Sequence, residues 1–222
     1  MKFLLTSAGI SNASIHDALV NLLGKPIAES SALYIPTAIY ANPNGASLSS
    51  RVIRGEIGDP FCDAGWKSLG LLELTALPSI PENYWLPLVQ EIDALLVGGG
   101  DPLYLCYWMR QSGLAALLSS LRRAAVYVGL SAGSMVLSPA VGEEFIRWRP
   151  PTGDDSTLGL VDFAMFPHLD HPSMPENSMA DAERWAAAMP VPGYAIDDQT
   201  AIQVVEDTVE VISEGHWKRF AP

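Results

Sequence analysis

Short apolar runs alternate with longer amphipathic segments between Phe3 and Leu130. Uninterrupted apolar runs with helices between them are typical of parallel strands that are buried on both faces. The runs predict strands at Phe3–Ala8, Ala32–Pro36, Leu71–Leu77, Ala94–Val97 and Ala125–Leu130. Apolar residues at helical spacing predict helices at Ser14–Leu23, Ala46–Gly55, Tyr84–Ile92, Leu103–Arg110 and Leu114–Arg123. The pattern therefore predicts an α/β fold, a three-layer sandwich around a mostly parallel, doubly wound sheet.

The last third of the chain has a different pattern. Its β-like and helical runs are Leu160–Phe166, Met179–Met189 and Tyr194–Ile196. Thr200–Val205 and Thr208–Ser213 flank a polar Glu-Asp pair, which predicts an antiparallel hairpin at the edge of the sheet. Glu143–Ser156 is the longest irregular stretch and predicts a surface loop over the site. Because we find no repeat and no low-complexity linker, we expect residues 1–222 to form a single α/β domain.

Composition excludes several classes of protein. Hydrophobic residues make up 49% of the 222 residues and charged residues 17%, which is enough apolar surface for a full core. Asp and Glu number 25 against 13 Lys and Arg, a net charge of −12. Because so acidic a surface repels phosphate backbones and anionic lipids, we expect neither nucleic acid nor membrane as a partner.

Cysteine content and the N-terminus predict the cellular compartment. Cys62 and Cys106 are too few for a disulfide framework and are typical of a reducing compartment. The apolar run after Met1 is too short for a signal peptide, and no run approaches the ~20 apolar residues of a membrane span. We therefore expect a soluble, cytoplasmic protein, and the sequence leaves its oligomeric state open, a homodimer included.

The segment Gly129-Leu130-Ser131-Ala132-Gly133 matches the pattern G-x-S-x-G. It lies between a predicted strand and a short helical segment, Ser134–Leu137, which is the context that a nucleophile elbow requires. In such a turn the serine adopts a strained backbone, and the glycines on either side avoid collision. The alternative is a small-residue turn without chemistry.

A second glycine-rich turn, Gly98-Gly99-Gly100-Asp101, follows the preceding strand. Its glycines let bare backbone approach a substrate, so an N–H of Gly99 or Gly100 can pair with that of Ala132 as an oxyanion hole. Asp101 also fits the N-cap of the next helix, because proline follows it at the first helical position. The two roles are compatible.

A serine nucleophile needs a base, and the chain has four histidines. His168 and His171 follow the β-like run that ends at Phe166, a position where open parallel sheets place active groups. His16 and His216 are expected at the surface. A metal site made of His168, Asp170 and His171 has no further ligand cluster beside it, so we expect no metal and no cofactor.

An acid that orients the imidazole would complete the site. Asp197 and Asp198, at the end of the run Tyr194–Ile196, are the candidates. Because successive residues of a strand face opposite sides, only one of the two can point toward the base.

Gly-Gly-Gly-Asp, the Ser131 turn and Phe166-Pro167-His168, in this order and spacing, resemble the peptidase E family of aspartyl dipeptidases and cyanophycinases. The resemblance extends from about Phe3 to Ser213 and implies the class I glutamine amidotransferase-like fold. It implies a serine hydrolase of dipeptidase type, acting on a small peptide or amide through an acyl-enzyme, with Ser131 as nucleophile and His168 as base. It also selects Asp198 as the acid, where the family has the longer glutamate.

The segment after the histidine departs from the family. Aspartate-specific members carry an Arg-Glu-x-x-Arg-like stretch whose first arginine binds the aspartyl carboxylate of the substrate. This chain has Asp181-Ala182-Glu183-Arg184 there, so only Arg184 remains of the two motif arginines, and Arg184 or Arg147 is the cation that could take over the selecting role. We therefore expect a substrate with a free amine and a neutral or basic first residue, its ammonium bound by Asp101 or Asp170.

Three other functions fit parts of the pattern. A glutamine amidotransferase would have cysteine at position 131. A conventional esterase or amidase, with its triad in the order Ser-acid-His, would have to use His216. A non-catalytic protein of the same fold would bind a small metabolite in the same pocket.

Overall fold

The computed structural model describes residues 2–120, 125–206 and 208–221. Its strands are β1 (Lys2–Thr6), β2 (Ser31–Ile35), β3 (Ser68–Leu71), β4 (Ala94–Val97), β5 (Val126–Leu130), β6 (Ala164–Phe166), β7 (Gly193–Ile196), β8 (Thr200–Val205), β9 (Thr208–Ser213) and β10 (Trp217–Phe220). Its α-helices are α1 (Ala13–Leu23), α2 (Gly45–Ile53), α3 (Glu82–Gln90), α4 (Pro102–Gln111), α5 (Leu114–Ser120), α6 (Ala132–Met135) and α7 (Met179–Ala188). The last residues of the predicted helix Leu114–Arg123 and one residue of the hairpin turn, Asp207, lie outside the described residues.

Seven of these strands form the central sheet, in the order β3-β2-β4-β5-β1-β8-β9. The first five are parallel to their neighbours, whereas β8 pairs antiparallel with both β1 and β9. Strands that are adjacent in space but distant in sequence need helical crossovers, which α1 to α5 supply. The predicted parallel sheet with an antiparallel C-terminal hairpin at its edge is confirmed.

Both faces of the sheet are covered. Alternate residues of one strand enter different cores: Leu95 and Val97 join a core with α3, α4 and α5, whereas Leu96 joins a core with α1. All of β4 is buried, which is why its sequence is a continuous apolar run and not an alternation. The result is the predicted three-layer sandwich.

One strand lies elsewhere than predicted. We expected a strand at Leu71–Leu77, but the edge strand β3 ends at Leu71 and all four of its residues are exposed. Leu72, Leu74 and Leu77 are buried in the irregular and 3₁₀-helical segment that follows. That prediction was wrong because the leucines mark burial, which an irregular segment can also provide.

A second, three-stranded sheet in the order β10-β7-β6 was not predicted. β6 and β7 are parallel, and β10 pairs antiparallel with β7. Phe166 and Ala195 of this sheet pack with Trp185 of α7 in a third core. The β-like runs that end at Phe166 and Ile196 therefore belong to a sheet of their own, separate from the central one.

No helix in the described ranges is both long and apolar enough to cross a membrane.

Candidate active site

Three neighbouring parallel strands end at one edge of the central sheet. Ser7 follows β1, Gly98-Gly99-Gly100 follows β4 and Ser131 follows β5. The carboxyl ends of parallel strands are where open α/β sheets bind ligands, because the loops that leave them converge. Backbone glycines and serine hydroxyls therefore meet at this edge.

Ser131 has a strained backbone, with φ 49° and ψ −112°. A non-glycine residue rarely adopts positive φ, and the cost is of the order of 1–3 kcal/mol. The turn is fixed from several sides: the Ser131 N–H donates to the Thr6 carbonyl at 3.0 Å, and the Ser134 hydroxyl donates to the same carbonyl at 2.8 Å. A Cβ on Gly133 would lie 2.1 Å from the Val97 carbonyl oxygen, so only glycine fits there. The sequence thus imposes the strand–serine–helix turn that the G-x-S-x-G pattern predicts.

The glycine turn after β4 approaches this serine. A Cβ on Gly99 would lie 3.5 Å from the Cβ of Ser131, and a Cβ on Gly100 (φ +144°) would collide with the Ala38 backbone. The amides of Gly99, Gly100 and Ala132 donate no hydrogen bond to any described residue. All three remain available to a substrate oxygen, as the oxyanion-hole hypothesis requires.

His168 and Asp198 follow the parallel strands β6 and β7 and meet at the ends of these strands. Nδ1 of His168 lies 2.7 Å from Oδ1 of Asp198. The same oxygen accepts a hydrogen bond from the Ser7 hydroxyl at 2.8 Å, and that hydroxyl accepts one from the His168 backbone N–H at 2.7 Å. With Nδ1 turned to the carboxylate, Nε2 is free to take a proton.

The Asp198 carboxyl is held in its ionised form. Burial raises its pKa, but hydrogen bonds from His168 and Ser7 and the charges of His168 and His171 lower it more, so the pKa lies below its ordinary value. A carboxylate that stays ionised at neutral pH stabilises an imidazolium formed at His168.

Asp197 faces another way. Its Oδ1 accepts from the Thr200 hydroxyl at 2.6 Å, and its Oδ2 accepts from the His216 N–H at 2.8 Å. A Cβ on Gly215 would lie 2.0 Å from that Oδ2, so the loop before β10 closes tightly over the carboxylate. Of the two candidate acids, only Asp198 contacts His168.

Ser131, His168, Gly99 and Gly100 line one cavity of about 710 Å³. That volume lies in the range of roughly 300–1,000 Å³ typical of small-molecule sites. Glu144, Phe145 and Arg147, from the loop predicted to cover the site, form part of its wall.

The two aspartates expected to receive a substrate ammonium have other partners. Asp101 is 4% exposed; its Oδ1 caps α4 by accepting from the Tyr104 N–H at 2.8 Å, and its Oδ2 accepts from the Trp148 N–H at 2.9 Å. Asp170 lies outside the cavity wall and pairs with Nε2 of His216 at 3.0 Å. Asp101 lines the cavity but has both carboxylate oxygens engaged, and Asp170 is paired outside it, which argues against an ammonium-binding role for either. His168 and Asp170 both have positive φ, 58° and 53°, and their side chains contact different partners, Asp198 and His216.

The predicted cationic residue, Arg184, reaches the cavity but is already paired. Its guanidinium forms an ion pair with Asp181, which also completes a capping box with Ser178 at the start of α7. The Ser178 and Arg184 contacts hold the pKa of the Asp181 carboxyl below its usual value. Two acids in the wall, Glu144 and Glu176, form no hydrogen bond or ion pair with a described residue, and nothing in their local sequence marks them.

Neither cysteine is placed as a nucleophile. Burial raises the pKa of the Cys62 thiol to about 12 and that of Cys106 to about 11, so both stay protonated at neutral pH. Across the part of the chain that the structure describes, no cluster of three or more His, Cys, Asp or Glu side chains is arranged to hold a metal ion.

Two residues near the acid were missed in the sequence. Ser7 is fully buried at the end of β1 and reads there as an ordinary strand residue. The contact of His171 with the acid, Nε2 lying 3.6 Å from Oδ2 of Asp198, was not predicted. Neither contact has a local signal, because their partners lie 191 and 27 residues away.

The fold and the serine turn define the class of protein: an α/β protein of the class I glutamine amidotransferase-like fold. The sequence model of peptidase family S51 matches residues 3–212, so the chain belongs to that family. This confirms the resemblance carried by the three motifs.

Individual relatives agree with this assignment. Peptidase E of Streptomyces coelicolor is 34% identical over 90 residues, a segment that covers 39% of this chain and 36% of that protein's length. A structure described as a candidate peptidase E from Listeria monocytogenes EGD-e has a TM-score of 0.68 at 16% identity, covering 96% of this chain and 98% of its own. A peptidase from an acI-B1 Actinobacterium has a TM-score of 0.66 at 19% identity, covering 100% and 87%. At these identities the two structures show the fold alone.

Proposed function

We propose that this protein is a serine peptidase of dipeptidase type that hydrolyses short peptide or amide bonds through an acyl-enzyme. One observation carries the proposal: a strained serine shares a cavity with a histidine whose Nδ1 lies 2.7 Å from an ionised carboxylate. That constellation is what activates a hydroxyl for attack on a carbonyl.

Each residue has a definite role in the proposed reaction. Ser131 Oγ attacks the carbonyl carbon while Nε2 of His168 takes the hydroxyl proton, and Asp198 stabilises the imidazolium. The imidazolium then gives its proton to the leaving amine, and water hydrolyses the acyl-enzyme with His168 again acting as base. The amides of Ala132 and of Gly99 or Gly100 bind the oxyanion.

The free amine expected of the substrate needs an acidic partner, and the corrected candidates are Glu144 and Glu176. Both line the cavity, and neither is committed to a partner in the described part of the chain. A carboxylate pairs well with a substrate ammonium. We propose that they replace Asp101 and Asp170 in this role.

A fluorophosphonate probe tests the nucleophile. We expect stoichiometric labelling of the wild type and none of Ser131→Ala. Ser173→Ala is the matched control, because Ser173 lines the same cavity and contacts His171 only through its backbone N–H. Absence of labelling in the wild type would favour the non-catalytic binding protein.

The esterase alternative predicts a different base. His216 is not part of the cavity wall, and its Nδ1 and Nε2 lie 3.0 Å from Asp197 and Asp170, respectively. We expect His168→Ala to abolish release of free amine from a dipeptide library and His216→Ala to retain it. The opposite result would contradict the assignment of His168.

A further inference from the structure

The cavity wall carries charges of both signs, but its two arginines differ. Arg184 forms an ion pair with Asp181, three residues away on α7. The Arg147 side chain forms no hydrogen bond or ion pair with any residue in the described ranges, not even with Glu144 on the same loop. Arg147 is therefore the cavity arginine that is free to bind an anion.

The other arginines near this loop are paired. Arg149 contacts Glu143 at 2.6 Å, and Arg110 of α4 contacts Asp154 at 2.8 Å. These contacts fasten the loop to itself and to α4, and they leave Arg147 as the exception. A cation without a partner at the wall of a cavity has its full hydrogen-bonding capacity available for a ligand.

The backbone beside Arg147 is held in place. The Trp148 N–H donates to Oδ2 of the buried Asp101 at 2.9 Å, and the Trp148 ring packs edge-on against Tyr104 and tilted against Tyr107, with centroids 5.1 and 5.4 Å apart. Asp101 directly follows Gly100 of the proposed oxyanion hole. The loop thus fixes the base of the Arg147 side chain to the same turn that faces Ser131.

We propose that Arg147 is a specificity-determining residue that binds the C-terminal carboxylate of a dipeptide; this inference rests on the proposed peptidase function. Arginine binds carboxylates through two parallel hydrogen bonds, which fixes direction as well as charge. Every dipeptide carries this carboxylate whatever its side chains, and the other cavity arginine is occupied. With the ammonium bound by Glu144 or Glu176, the cavity recognises both charged ends of a dipeptide.

Binding to the inactive variant Ser131→Ala, measured by calorimetry, tests this independently of catalysis. The probes are the dipeptide Ala-Leu and its C-terminal amide. We expect Arg147→Met to weaken Ala-Leu binding by about tenfold to hundredfold, as for loss of a charge-assisted hydrogen-bonded pair, and to change binding of the amide by less than about twofold. Arg147→Lys keeps the charge but cannot form the two parallel hydrogen bonds, so we expect its affinity for Ala-Leu to lie between those of the parent and of Arg147→Met. Arg149→Met is the matched control on the same loop, and we expect it to bind both probes as the parent does.

Equal effects of Arg147→Met on acid and amide, or no effect on either, would overturn the proposal. A third probe, Asp-Leu amide, identifies the source of the carboxylate. If Arg147→Met weakens that probe but not Ala-Leu, Arg147 selects an acidic side chain and the C-terminal role is wrong. Arg147→Met could weaken binding of Ala-Leu but not of its amide while the wild type is not labelled by the fluorophosphonate. In that case the site binds dipeptides as proposed here, and only the proposed catalysis fails.

Discussion

The Ser7 hydroxyl donates a hydrogen bond to Oδ1 of Asp198 at 2.8 Å and joins β1 of the central sheet to the loop after β7. The same hydroxyl accepts the backbone N–H of His168 at 2.7 Å. A single buried oxygen therefore positions both the proposed base and the proposed acid, which belong to the small sheet, against the sheet that carries Ser131. Ser7 is a positioning residue, because its hydroxyl proton is already donated to Asp198 and cannot be donated to a substrate.

Replacing Ser7 with alanine should lower both activity and stability. The variant leaves a buried N–H unpaired and removes a donor from Asp198, so we expect a loss of about 1–3 kcal/mol in the free energy of unfolding. We also expect kcat to fall by about tenfold as the pair loosens. Steady-state kinetics and urea unfolding measure the two effects. Ser30→Ala removes another fully buried hydroxyl, bonded to the Pro26 carbonyl away from the site, and should leave kcat unchanged. Full activity of Ser7→Ala would show that the bridge has no positional role.

The two adjacent aspartates should give opposite phenotypes. Asp198→Asn removes the carboxylate that stabilises the His168 imidazolium, so we expect kcat to fall by about 10³- to 10⁴-fold, a much larger effect than the accompanying loss of the stability that the ionised carboxylate contributes. Asp197→Asn weakens contacts with Thr200 and His216 that only shape the turn, so we expect a loss of about 1–2 kcal/mol in stability and nearly normal kcat. Parallel kinetics and thermal unfolding distinguish them. A larger kcat loss in the Asp197 variant would reverse the assignment of the acid.

Local signals were sufficient for the parallel sheet and the serine turn. The residues of β4 are apolar without interruption because both faces of the sheet are covered, and the glycines around Ser131 are required by direct backbone contacts. Leu72 and Leu74 misled the prediction of β3, because burial alone does not distinguish a strand from an irregular segment. The strand β10 was missed because its pairing with β7 depends on a chain reversal that has no local signature.

The choice of Asp101 and Asp170 as ammonium-binding candidates also rested on local signals, and both side chains have long-range partners. Asp170 is close to His168 in sequence, but its side chain pairs with a histidine 46 residues away, a contact that proximity in sequence does not predict. Asp101 was correctly placed as a helix cap, since aspartate before proline is a local signal. Its second bond, to the Trp148 N–H, is a long-range contact without a local signal, and it engages the carboxylate oxygen that the helix cap leaves over.

Stability should depend on pH through Asp198. Burial raises its pKa, and hydrogen bonds from His168 and Ser7 lower it further than burial raises it. A carboxyl whose pKa is lowered by folding contributes stability that is fully present above its unfolded pKa, about 3.9, and is lost as pH falls toward the folded value. Urea unfolding between about pH 5 and pH 2.5 should therefore show a smaller loss of stability for Asp198→Asn than for the wild type.

Asp93 provides a control for this pH dependence. This carboxyl lies far from the site. Burial raises its pKa, but the hydrogen bonds from Lys25 and Ser31 and the charge of Lys25 together bring the pKa below its ordinary value. Asp93→Asn should also flatten the acid limb of stability but leave kcat unchanged. An Asp198→Asn variant whose stability follows the wild type over this range would show that the pair with His168 contributes nothing to folding.

His171 supports the acid from its other side. The Ser173 N–H donates to Nδ1 of His171 at 3.1 Å, so the neutral ring carries its proton on Nε2, which lies 3.6 Å from Oδ2 of Asp198. Because 3.6 Å is longer than a hydrogen bond, the contact is weak and only helps to orient the Asp198 carboxylate. We therefore expect His171→Ala to lower kcat by about threefold to tenfold with KM nearly unchanged. Glutamine places an N–H donor where Nε2 stands, whereas asparagine does not reach it. His171→Gln should therefore recover most of the kcat and His171→Asn should not, with His16→Ala on α1 as a surface control. If the glutamine and asparagine variants lose the same activity, the loss comes from packing of the loop, and His171 does not act through Asp198.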